Sequence, residues 1–402
     1  MKKVASFLIF VFALAFLVSC NQTGKPDAKI VNGLSQDSLN LAVASADKFV
    51  DDRNLAGISL MVIKNSETVL SKQYGYADME NNIPITNQTI FRAFSMTKPI
   101  TAAALMTLYE EGKFQLDDKV SDYIPEFGET QVYNSETKKL EPQAKPMTIR
   151  NLLTHTSGLT YGWDMNSYVD SLYRVTSASG WDGVLADQIK LLAGIPLKYQ
   201  PGTKWEYGLS IDVAGYLVEV LSGMPLDEYF KTKIYDPLKM NDSGFYVPEE
   251  KHDRLARIYT KDEDGNLVSL EGEMQDRFKK PATLFSGGGG SLATVEDYSH
   301  FALMLLNGGE WNGTRILEES TVNLMMSNQL PEGVVYEETG GYGLGGSFST
   351  ENGQYGWSGA ASTFFTVDTK NDMVVLAFTQ FMPFDISYAL EFNKNVHSAI
   401  VE

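Results

Sequence analysis

Phe91-Arg-Ala-Phe-Ser-Met-Thr-Lys-Pro-Ile100 is the stretch on which the reading of this chain turns. Within it Ser95 and Lys98 stand three apart, a spacing that on a helix sets a hydroxyl and an amine on one face. The spacing alone says little, because it recurs at Ser45/Lys48 and Ser135/Lys138. The first of these lies on an amphipathic pattern over 39–50 and belongs to a solvated face; the second lies in the polar run Asn134–Lys139. Ser95 differs in the segment that it opens. Ile100-Thr-Ala-Ala-Ala-Leu-Met-Thr-Leu108 is apolar almost all round, which predicts a buried helix, with Pro99 near its first turn and Gly112 beyond its last. A lysine carried into such an interior loses hydration, which disfavours its ammonium form. A serine at the helix start faces free N–H groups and the positive end of the dipole, both favourable to an oxyanion. Together they read as a nucleophile and its activating amine. The plainer reading, an N-capping serine with a lysine snorkelling outward, predicts an exposed Nζ.

The composition narrows the chemistry. The 402 residues carry 33 Lys and Arg against 51 Asp and Glu, a net charge of −18, which argues against nucleic acid and anionic lipid surfaces as partners. With 43% hydrophobic and 21% charged residues the chain is globular. One cysteine, Cys20, excludes an intramolecular disulfide. Four scattered histidines (155, 252, 300 and 397) predict no zinc cluster. No metal and no cofactor are expected, which leaves hydroxyls, amines and carboxylates to do the chemistry.

Met1-Lys2-Lys3 followed by an apolar run over 4–18 reads as an export signal, too short to span a bilayer. It ends in Leu17-Val18-Ser19-Cys20, which resembles the lipobox of bacterial lipoproteins. The expectation is a signal peptide over 1–19, a lipid anchor on Cys20 and a flexible tether over 20–38, placing the protein in a bacterial cell envelope, facing periplasm or exterior. Secretion with cleavage after Ala13-Leu14-Ala15 is the alternative. Nothing demands more than a monomer.

The rest of the chain patterns as α+β. Residues 57–63 and 68–74 read as strands around a turn at Asn65-Ser66; 345–349, 354–357, 362–367 and 373–378 read as strands with turns at Asn352-Gly353 and 369–372. The middle is richer in helical pattern. The predicted architecture is an antiparallel β-sheet flanked by helices and built from both chain ends, 39–94 and 285–402, with a mostly helical domain inserted at 95–284. Asp262-Glu-Asp-Gly265 reads as a hairpin turn rather than a calcium loop.

Phe91–Ile100 resembles the nucleophile segment of class C β-lactamases and their relatives, the DD-peptidases and the esterases of the same fold. Leu116–Phe127, Thr148–Leu159, Ser291–Tyr298 and Gly341-Tyr-Gly-Leu-Gly345 carry the resemblance along nearly the whole chain. It implies a helical domain packed on the sheet, with the site in the cleft between them. The family's Tyr-x-Asn falls on Trp205-Glu-Tyr-Gly-Leu-Ser210, which implies Tyr207 as the group that takes the serine proton, assisted by Lys98. Leu209 stands where the asparagine belongs and cannot hydrogen-bond a substrate amide. The third family element falls on Trp357-Ser358-Gly359-Ala360, which implies a substrate-binding strand and an oxyanion hole formed by the N–H groups of Ser95 and Ala360. Trp357 replaces the cation that holds the carboxylate of β-lactams, as in the esterase branch of the family. His155 reads as structural, Glu206 and Asp212 as helix-start acids, and Tyr161 and Trp163 as candidate cleft aromatics.

The expectation is therefore a serine hydrolase that forms an acyl-enzyme on Ser95 and cleaves short uncharged esters. A β-lactamase or DD-peptidase acting on amides is the second reading. The third is a penicillin- or peptidoglycan-binding lipoprotein without turnover.

Overall fold

The computed structural model describes residues 29–337 and 340–401. The expected signal peptide, Cys20 and most of the tether lie outside them. The first long helix, α1 (Gln36–Asp51), is capped by Ser35, whose side chain accepts from the Ser38 N–H. It leads into strands β1 (Gly57–Lys64), β2 (Glu67–Asp78) and β3 (Ile83–Pro84). Two helices that shape the site come next, α2 (Thr97–Glu110) and α3 (Ser210–Ser222), and then α4 (Val295–Leu306). The chain returns through β4 (Gly341–Tyr342), β5 (Ser347–Phe348), β6 (Tyr355–Ser358), β7 (Phe364–Asp368) and β8 (Met373–Phe378) to the terminal helix α5 (Ser387–His397).

The eight strands form one antiparallel sheet in the order β4-β5-β6-β7-β8-β1-β2-β3, so that its centre joins the two chain ends as the sequence pattern predicts. The central strands are apolar at nearly every position because both faces are covered. Ile58, Leu60 and Val62 pack with Leu39, Ala42, Tyr388 and Phe392 of α1 and α5. Met61 and Ile63 point the other way, into the core shared with α4 and the helical region. Within that region α2 is enclosed almost all round and packs against α3. Asp262–Gly265 is the expected hairpin turn, with the Asp262 carboxylate accepting the N–H groups of Asp264 and Asn266.

One ion pair ties α5 to the sheet: His397 Nε2 lies 3.0 Å from Asp368 Oδ2, the carboxylate being nearly buried. Burial alone would raise the Asp368 carboxyl, but hydrogen bonds from His397 and Asn371 outweigh it and hold it down at about 2. Burial likewise pulls His397 down, and its bonds to Asp368 and the Asn393 carbonyl more than reverse this. A raised histidine stabilises below its unfolded value of 6.5 and loses that contribution as pH rises through its folded value; a depressed aspartate stabilises above 3.8 and loses it as pH falls towards about 2. The urea midpoint is therefore expected to decline from pH 6 to pH 9, and His397→Gln to flatten that decline. An unchanged slope in the variant would refute this assignment.

Candidate active site

The turn before α2 sets the geometry of Ser95. Residues Phe94–Met96 form a single 3-10 turn, and the helix proper starts at Thr97, two residues after Ser95. Ser95 is thus not a helix cap: Met96 holds the N-cap position, and no side chain caps it. Phe94 has φ +44°, a left-handed conformation that costs a bulky residue roughly 1–3 kcal/mol. Its ring is fixed by edge contacts with Trp181 and Phe278, centroids 6.3 and 5.7 Å away, and its carbonyl accepts the Thr97 hydroxyl at 2.6 Å. The strain is held by packing, and it leaves the Ser95 side chain half-buried at the cleft.

Lys98 is fully buried, which rules out the snorkelling alternative. Its Nζ donates to Ser95 Oγ at 3.0 Å, to Tyr161 OH at 3.1 Å and to the Gly288 carbonyl at 2.6 Å. Three acceptors use the three protons of an ammonium. Tyr207, just ahead of α3, donates its hydroxyl to Ser95 Oγ at 2.7 Å, and Lys98 Nζ lies 4.6 Å from its ring centre. The two other serine–lysine pairs hold nothing comparable. Lys48 is an exposed partner of Asp52, and Ser135 and Lys138 sit in the turn of a small hairpin.

Gly359 follows β6, and a Cβ there would overlap the Ala93 carbonyl two residues before the serine. This close approach, with Thr363 Oγ1 donating to the same carbonyl at 3.3 Å, fixes the strand end against the Phe94–Met96 turn. Neither the Ser95 nor the Ala360 N–H has a backbone acceptor among the described residues. Ser358 is half-buried at the strand end, and Trp357 packs on the Tyr207 and Tyr342 rings at 5.7 and 5.3 Å. Leu209, at the position expected for asparagine, is buried in the core. Tyr161 instead supplies the oxygen that meets the lysine, and it stacks on Trp163 at 4.7 Å along the cleft. Burial, followed by Tyr207 and Asp212, pushes the Tyr161 hydroxyl well above its usual value, so it stays protonated.

His155 is buried with φ +54° and accepts the Gly208 N–H on Nδ1 at 3.4 Å. Burial, helped by Lys98, drives it well below 6.5, so it is neutral and serves as a wall for Tyr207, centroids 4.9 Å apart. Glu206 is not the helix-start acid expected from the sequence: it lies ahead of the Leu209 N-cap, outside the first turn of α3. It belongs to an ion cluster in which Lys198 Nζ meets Glu206, Asp170 and Asp164 at 2.6, 3.1 and 3.5 Å. Burial opposes the Lys198 charge, but the bonds to Glu206 and Asp170 outweigh it and raise its affinity for the proton. This cluster clamps the Tyr161–Trp163 loop to the Trp205–Tyr207 segment. Lys198→Met leaves the buried Asp170 without its cation, so a loss of about 3–5 kcal/mol in urea unfolding is expected; less than about 1 kcal/mol would refute the clamp.

The family model described as Beta-lactamase matches residues 43–392. The chain belongs to that family. Protein Rv1367c of Mycobacterium tuberculosis is 32% identical over 85% of this chain and 89% of its own length. Esterase EstB of Burkholderia gladioli is 33% identical over 65% of this chain and 69% of its own. Among solved structures, EstCE1, a hydrolase with promiscuous acyltransferase activity, superposes with a TM-score of 0.78 at 24% identity, covering 90% of this chain and 99% of that one. The fold is thus that of the β-lactamase-type serine hydrolases.

Proposed function

We propose that this protein hydrolyses uncharged carboxylic esters through an acyl-enzyme on Ser95. The observation that carries the reading is Ser95 Oγ held at once by Lys98 Nζ at 3.0 Å and Tyr207 OH at 2.7 Å. Once Tyr207 has given up its own hydroxyl proton, its oxygen takes the Ser95 proton while Oγ attacks the ester carbonyl, with Lys98 Nζ 4.6 Å from its ring centre. The oxyanion rests between the Ser95 and Ala360 N–H groups. Tyr207 returns the proton to the departing alkoxide, and water releases the acid by the reverse path. The aromatic wall of Tyr161, Trp163, Tyr207 and Trp357 supports an uncharged substrate, because no cation stands at the Trp357 position to hold a carboxylate. EstB, by its name an esterase, supports the same choice.

Turnover of p-nitrophenyl acetate and butyrate, set beside nitrocefin and a D-alanyl-D-alanine peptide, tests the substrate class. Faster hydrolysis of nitrocefin or peptide would overturn the ester reading, and stoichiometric acylation without release would replace catalysis by binding. Attachment of the chain to a cell envelope through Cys20 belongs to the same proposal. A mature protein with an unmodified N-terminus at Phe16 would overturn it.

A further inference from the structure

Asp212 is a buried carboxylate for which the proposed reaction has no use. It lies in the first turn of α3, five positions after Tyr207, and is 1% exposed. Its Oδ1 accepts the Ser286 hydroxyl at 2.5 Å and the Gly288 N–H at 3.1 Å. Its Oδ2 is buried and has no hydrogen-bond partner among the described residues. The Gly288 carbonyl, on the same residue, accepts Lys98 Nζ at 2.6 Å. Thr101 of α2 holds the neighbouring Gly287 carbonyl at 2.6 Å. A Cβ on Gly288 would overlap the Asp212 carboxylate, so this glycine is what lets the 286–290 turn lie between the acid and the amine.

A buried ammonium that touches only neutral oxygens is costly unless a negative charge lies close by. The titratable groups facing Lys98 are Tyr161, Tyr207, His155 and Asp212. His155 is neutral, Tyr161 is protonated and the Tyr207 hydroxyl donates its proton to Ser95 Oγ, which leaves Asp212 as the resting site's counter-charge. Burial raises the Asp212 carboxyl, and Lys98 is among the groups that pull it back. We propose that Asp212 is the positioning residue of Lys98: it pins the Ser286–Gly290 turn against Nζ and supplies the negative charge that faces the buried amine across that turn. The inference rests on the reading of Lys98 as the activating amine.

Asp212→Asn keeps the shape and one acceptor oxygen while removing the charge. With p-nitrophenyl butyrate, kcat is expected to fall on the order of 10–100-fold at little changed KM, and the pH profile of kcat/KM to shift, since the site has lost a charge. An unchanged kcat and profile would overturn the proposal, as would lost activity on an unshifted profile. A stability cycle tests the pairing without activity. Lys98→Met strands the Asp212 charge and lowers the melting temperature, and adding Asp212→Asn recovers part of it. Failure of the second substitution to recover stability would refute the pairing even if wild type cleaves esters. Recovery in a protein that cleaves none would uphold the pairing and refute the enzyme.

Discussion

Ser95→Ala is expected to lower kcat/KM for p-nitrophenyl butyrate on the order of 10⁴–10⁶-fold, to the background that binding and the oxyanion donors alone sustain. The reason is specific to this chain. The Ser95 hydroxyl caps no helix; its hydrogen bonds are to Lys98 and Tyr207. Removing it takes away the proposed nucleophile and no helix cap. The strained turn at Phe94 and the fully buried Lys98 are costs the scaffold carries for that hydroxyl. The melting temperature should therefore stay level or rise. A variant that keeps a tenth of wild-type activity would move the nucleophile elsewhere, and a variant that unfolds would make Ser95 structural.

Tyr207→Phe is expected to lower kcat about 10²–10⁴-fold, the usual range for losing a positioned acid–base group, with KM little changed. Phenylalanine keeps the ring contacts to His155, Tyr161, Trp205 and Trp357, so the loss isolates the hydroxyl. Lys98→Met should cost a similar factor, and the double variant little more than either alone, because the two act on one proton. Steady-state rates of the three variants check this. Full additivity would mean that lysine and tyrosine serve separate steps. Near-normal activity of Tyr207→Phe would pass the proton to another group, although Tyr161 is held protonated and His155 Nε2 is buried without a partner among the described residues.

The features that the sequence shows and those it hides divide along physical lines. The sheet was legible because period-two and all-apolar strands such as 57–63 and 373–378 state their burial locally, and Asn352-Gly353 marks its own turn. Ser95 and Lys98 were legible because an apolar helix start leaves a lysine nowhere to go but inside. Three features had no such local signal. The left-handed Phe94 is imposed by rings from distant segments, Trp181 and Phe278, against the residue's own preference. Tyr161 reaches Lys98 from sixty-three positions away, on a loop held by the Lys198 cluster whose acids look like ordinary surface charge. Asp212 and Glu206 read as helix-start acids in sequence, yet one is buried against the lysine's turn and the other braces the tyrosine segment. Pairing across such distances is decided by packing, which spacing does not encode.

The most direct test is the intact mass of the protein after exposure to a fluorophosphonate probe, for wild type and Ser95→Ala, with the modified peptide located by digestion. One adduct is expected on wild type, on the peptide that carries Ser95, and none on the alanine variant. An unlabelled wild type, or equal labelling of both proteins, would contradict Ser95 as the nucleophile.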